Sequence, residues 1–141
     1  MKNEKEESER PLRVLRMAAI RLPVRNLEEN SRFLREVLGL VEVRRRCSPN
    51  GTEAVTFKPI KGETEIELIQ NLERSQERTE RQAVLTFFVE DLEAWKERIQ
   101  ALGIQWTVEP VYEDDGGGWA VLTMPEGYRV ELRQQAGIYL A

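Results

Sequence analysis

At 141 residues, the chain has room for one domain or for two half-size modules sharing a core, since either half alone would bury too little surface to be stable. Charged residues make up 33% of it, but 21 Lys and Arg stand against 25 Asp and Glu, and the net charge of −4 excludes the strong basic field that nucleic acid as a main partner demands. No apolar run approaches the roughly 18 residues of a membrane span, the N-terminus is charged, and the one cysteine, Cys47, cannot close an intramolecular disulfide, so the expected setting is the cytoplasm with no membrane partner.

Residues Met1 to Arg10 are almost all polar, and 1–12 is expected to be a disordered tail. A strand is predicted from Val14 to Val24, with Ile20, Leu22 and Val24 on one face. Pro23 lacks a donor and suits an edge position. Asn26 can cap a helix, with Glu29 at capping-box spacing. Leu27, Leu34, Val37 and Leu38 mark that helix's apolar face, and Gly39 can end it. Three strands follow, at Val41 to Arg46, Ala54 to Lys58 and Glu65 to Gln70. Asn50-Gly51, where both residues tolerate positive φ, forms the first turn and Lys61-Gly62 the second. Residues 72–82 are mostly Glu, Arg, Gln and Ser and read as a solvated linker.

The plan then restarts. Leu85, Phe87 and Val89 give a strand, Asp91 caps a helix striped by Leu92, Trp95, Ile99 and Leu102, and Gly103 ends it. Strands are predicted at Gln105 to Val111, Trp119 to Met124 and Tyr128 to Gln134, with turns at Asp114 to Gly118 and Glu126-Gly127. Aligning Asn26 with Asp91 pairs Leu27 with Leu92 and Glu28 with Glu93; one deletion brings Gly39 onto Gly103, and Ile66 to Gln70 onto Val130 to Gln134. The repeat is about 65 residues of order βαβββ, present twice. The predicted fold class is therefore α+β, with modules at 13–71 and 83–135 forming a curved mixed sheet around a cleft, and a C-terminal tail at 136–141.

The doubled pattern resembles the vicinal oxygen chelate superfamily, which includes glyoxalase I, extradiol dioxygenases, methylmalonyl-CoA epimerase, and the fosfomycin and bleomycin resistance proteins. The resemblance is carried by the stretch from Leu22 to Glu28, Phe33 to Leu40, Ile66 to Leu68, Phe87 to Glu93, Ala101 to Gly103, and Met124 to Leu132. It implies a divalent metal held by four side chains: a His or Gln on each first strand, seven residues before the helix cap, and a Glu on each last strand. In this chain those positions are Ala19, Glu67, Val84 and Glu131. Alanine and valine cannot bind a metal, and the chain has no histidine at all, which also removes the commonest general acid/base. The expectation is no metal and no other cofactor; the alternative is a divalent ion held weakly by Glu67 and Glu131 alone.

Strand alternation places Ile20, Leu22, Ile66, Leu68, Leu85, Phe87, Val130 and Leu132 toward the helices. The opposite face then carries Met17, Ala19, Arg21, Thr56, Lys58, Glu65, Glu67, Val84, Thr86, Phe88, Arg129, Glu131 and Arg133. For the strand at Trp119 two registers are open, one lining the cleft with Trp119, Val121 and Thr123, the other with Ala120, Leu122 and Met124. Glu67 and Glu131 are the candidate catalytic groups, or else ion-paired with Arg21, Arg129 or Arg133. Arg21 and Arg129 could clamp a carboxylate or phosphate, Phe88, Trp106 and Trp119 could stack on a ring, and Thr56, Thr86 and Arg133 complete the ligand-binding candidates. Arg44-Arg45-Arg46 reads as a charged, solvated strand, the glycine-rich turn at 113–118 as a flexible hairpin, and Cys47 as non-catalytic for want of a basic partner.

Two functions follow. The first is a metal-independent binder of a small, partly aromatic organic molecule, of the drug-sequestering type. The second is an enzyme: a lyase, isomerase or cyclase using Glu67 or Glu131, or a dioxygenase-related member, with or without a non-standard metal. A homodimer burying the apolar stretch Ala136 to Ala141 fits either.

Overall fold

In the computed structural model, residues 12, 13, 15, 17–71 and 83–135 are described. The expected linker at 72–82, the tail at 136–141 and nearly all of the tail at 1–12 lie outside them. The element order is β1 (Ala19–Pro23), helix α1 (Leu27–Arg32) running on into a π-helical turn (Phe33–Val37), β2 (Val41–Cys47), β3 (Thr52–Lys58), β4 (Glu65–Asn71), β5 (Val84–Val89), α2 (Leu92–Ala101), β6 (Val108–Tyr112), β7 (Gly118–Thr123) and β8 (Arg129–Gln134). These make two four-stranded mixed sheets of identical topology, β1-β4-β3-β2 and β5-β8-β7-β6. β1 runs parallel to β4 and β5 parallel to β8, the other pairs being antiparallel. Each parallel pair is joined by a crossover that carries the module's helix. This is the expected doubled βαβββ fold.

Both helices begin as their sequences direct. The Asn26 carboxamide oxygen accepts from Glu29 N at 3.0 Å, and an Asp91 carboxylate oxygen accepts from Ala94 N at 3.2 Å. The next donor, Leu27 N or Leu92 N, is satisfied from the far end of the sheet by Gln70 or Gln134, at 2.6 and 2.8 Å. The same four-residue device therefore ties each helix start to its own last strand. Gly39 and Gly103 end the helical segments with φ of 72° and 71°. The first span is one residue longer, and the surplus is absorbed in the π turn, where Leu38 N donates to Phe33 O.

Several predicted details differ. β1 starts at Ala19 rather than Val14, because its ladder to β4 runs only from Ala19 to Pro23. β6 starts at Val108, not Gln105, where pairing with β7 begins. Asn50 does not take positive φ; Gly51 alone does, at 85°, because the Asn50 side chain closes the turn by accepting from Thr52 N at 3.1 Å. Leu102 is 47% exposed, since it lies past the last helical turn and falls off the stripe of Leu92 and Ile99.

One apolar core joins the modules. It contains Leu22, Leu34, Phe57 and Leu68 from the first and Leu92, Ile99, Leu122 and Leu132 from the second. The contact is locked by polar groups at one junction. Arg25 N donates to a Glu126 carboxylate oxygen at 2.9 Å, Glu126 N donates to Asn30 Oδ1 at 2.9 Å, and the Tyr128 hydroxyl donates to Pro23 O at 2.8 Å. Glu126 is buried and so needs these partners. The equivalent junction of the repeat is open: Pro59 and Lys61 stand where Met124 and Glu126 stand, and Arg98 where Phe33 stands. A cavity of about 720 Å³ results, walled by Leu38, Leu40, Ile60, Phe87 and Trp95, with Arg98 at its side.

Candidate functional site

The alternation expected in both sheets is present. Leu22, Ile66, Leu68, Leu85, Val130 and Leu132 are buried against the helices. β7 takes one of its two possible registers. Trp119 pairs with Arg133, Val121 with Glu131 and Thr123 with Arg129, so these three β7 residues share the face away from the helices, while Ala120, Leu122 and Met124 are buried on the helix side. That outer, open face of the two sheets gathers nearly every candidate residue.

On the first module, cross-strand pairing builds a row of Arg21, Glu67, Thr56 and Arg44. Glu67 is only 6% exposed. Its Oε1 lies 3.2 Å from Arg21 Nε and accepts from Arg46 Nη2 at 3.0 Å, and its Oε2 accepts from the Thr56 hydroxyl at 3.4 Å. Two guanidinium groups on exposed arms therefore converge on one buried carboxylate. Beside them Arg44 holds Glu65 through both terminal nitrogens, at 2.5 and 3.2 Å. That hydrogen bond, with the attraction of the same carboxylate, holds the Arg44 guanidinium above its ordinary range.

On the second module the rows are Val84-Arg129-Thr123, Thr86-Glu131-Val121 and Phe88-Arg133-Trp119. Arg133 Nε donates to Glu131 Oε1 at 3.0 Å and its Nη1 lies 3.7 Å from Glu113 in the glycine-rich turn. Arg129 and Lys58 make no ion pair among the described residues. Phe88 is 66% exposed and Val84 54%. An aromatic side chain and a half-buried tryptophan thus flank one arginine on an open surface.

Glu131 pairs with Arg133, one of the partners that the sequence left open. Two placements differ from the sequence reading. Trp106 packs against the core. Its neighbour Thr107 is the one on the open face, where its hydroxyl meets that of Thr123 at 2.6 Å. Met17 lies outside β1 and is exposed, its carbonyl accepting from Thr64. Arg46 and Arg44 were missed as site residues, though the alternation of β2 carries the signal: both pair with β3 positions of the open face, while Arg45 turns the other way to Glu42 and Glu28.

The donor set does not fit a divalent metal. Ala19 and Val84 offer no ligand atom, and both remaining carboxylates already serve guanidinium partners. Among the described residues no group of three or more His, Cys, Asp and Glu converges. Such a site would have to strip Glu67 of Arg21, Arg46 and Thr56 before offering a single carboxylate. The 720 Å³ cavity is lined mainly by apolar side chains, with Lys61, Glu90 and Asp91 among its walls and Arg98 already committed to Glu36 O and Val37 O.

The Glyoxalase/Bleomycin resistance protein/Dioxygenase superfamily model matches residues 16–132, most of the chain. The chain belongs to this superfamily. No curated protein matches it. Among solved structures it is similar to lactoylglutathione lyase from Agrobacterium tumefaciens, with 20% identity and a TM-score of 0.65, covering 91% of this chain and 98% of that one. It is similar to TnmS3, an antibiotic binding protein from Streptomyces sp. CB03234, at 18% identity and a TM-score of 0.67, with 88% and 98% covered. Glyoxalase I from Zea mays gives 23% and 0.73, covering 86% of this chain and 45% of that one. At these identities the likeness is one of fold. A fold shared with both a lyase and an antibiotic binding protein leaves the activity to be argued from the open face itself. No helix among the described residues is long and apolar enough to cross a membrane.

Proposed function

We propose that this superfamily member binds a small, partly aromatic organic molecule on the open sheet face without a metal, in the manner of a sequestering or resistance protein. One observation carries the reading: the carboxylate of Glu67, where a metal ligand would be expected, is satisfied by Arg21, Arg46 and Thr56. Phe88, Trp119 and Val84 supply apolar surface beside hydrogen-bonding groups, the mixture that small-molecule sites use. The likeness in fold to an antibiotic binding protein agrees with it. Thermal-shift measurement against a broad set of aromatic natural products and antibiotics tests it. A true ligand at a hundredfold excess over its Kd adds about 2.7 kcal/mol of stability, and Phe88→Ala should abolish that shift. If no compound raises the Tm, the reading fails.

A second reading, an enzyme of lyase or isomerase type, rests on Glu131, which has fewer partners than Glu67 and is less buried. Glu131→Gln would abolish turnover under this reading and leave binding intact under the first. The single cysteine, Cys47, which is exposed, agrees with a cytoplasmic setting.

A further inference from the structure

The open face has a charge opposite to that of the chain. It carries six cations, namely Arg21, Arg44, Arg46, Lys58, Arg129 and Arg133, against Glu65, Glu67, Glu131 and, from the rim, Glu113. The chain as a whole has a net charge of −4. An excess of positive charge on one face raises the local concentration of anions there.

The excess is not diffuse. Arg21 through Nε and Arg46 through Nη2 meet the same oxygen of Glu67, so one negative charge answers two positive ones. The carboxylate is buried and has Thr56 on its other oxygen, which fixes it in the sheet. Of five N–H donors on each guanidinium, this contact uses one. The remaining donors belong to side chains that are 70% and 58% exposed, anchored at one end and open at the other. Such an arrangement is an anion clamp. Paired N–H donors from arginine match the two oxygens of a carboxylate.

We infer that the ligand is an aromatic carboxylic acid whose carboxylate sits on Arg21 and Arg46. The inference rests on the binding function proposed above and adds the sign and kind of the ligand's charge. Positively charged aromatic compounds are excluded by the same field.

The test uses three isosteric probes on the full chain by titration calorimetry: 2-naphthoate, 2-naphthamide and 2-naphthylmethylammonium. Naphthoate is expected to bind at least about tenfold more tightly than naphthamide, as a hydrogen bond to a charged group warrants, and to weaken as salt is raised. Arg21→Gln and Arg46→Gln should each lower naphthoate affinity by about tenfold and leave naphthamide affinity unchanged. Both side chains are exposed, so both variants should keep the wild-type Tm within a few degrees, which thermal melting checks. Equal affinity for naphthoate and naphthamide, or a preference for the ammonium probe, overturns the clamp while leaving aromatic binding in place. Failure of all three probes to bind overturns both.

Discussion

Tyr112 donates its hydroxyl to Glu93 at 2.5 Å, joining β6 to the helix it flanks. The bond to this carboxylate, more than burial, pushes the phenol up to about 12 from an ordinary value of 10.0. The folded value is raised, so the stabilisation is complete below pH about 10 and is lost as pH climbs through about 12. Tyr112→Phe should remove one late-ionising phenol from the ultraviolet titration and flatten the stability profile in that window. At this scale the sequence was readable where a residue acts through its own turn. Asn26, Asp91 and Gly39 behave as their spacing directs. It was unreadable where the partner comes from a distant element, as with Tyr112 and Glu93, or Glu67 and Arg46.

The helices show how one sequence pattern is used twice with different surroundings. Removing the Asp91 cap in Asp91→Ala should cost about 1 kcal/mol, read as a fall in the denaturation midpoint without a change in m-value. Arg98 has a longer reach. It donates to Glu36 O at 2.8 Å and Val37 O at 3.1 Å, the carbonyls at the end of the π turn, and lies 5.7 Å from the Trp95 ring centre. Arg98→Ala should cost roughly 1–2 kcal/mol by leaving those carbonyls to water and freeing the modules at their open junction. The repeat and its single-residue offset were visible in the sequence. The cause of the offset, a π turn, was not, because an extra residue between two caps can be housed in a loop as readily as in a widened helical turn. Strand ends are not legible where the sequence pattern continues past the last ladder partner, as at Gln105 to Thr107.

For the whole molecule, the fold was legible because every level agreed: caps, alternation, turns and the doubled order lead to one architecture. The site was legible as a face but not as a set of partners. Period-two alternation assigns Arg21, Glu67, Thr86, Phe88 and Arg129 correctly to the open side, yet it cannot say which arginine reaches which glutamate. Arg46 was hidden inside a run of three arginines, two of which turn to one face and one to the other. With Glu67 held by two guanidinium groups, the proposed binding should need no metal, and elemental analysis tests this most directly. Protein incubated with zinc, manganese and nickel salts and then desalted should retain far less than one metal ion per chain. One tightly held ion per chain, lost on Glu67→Gln or Glu131→Gln, would contradict the account.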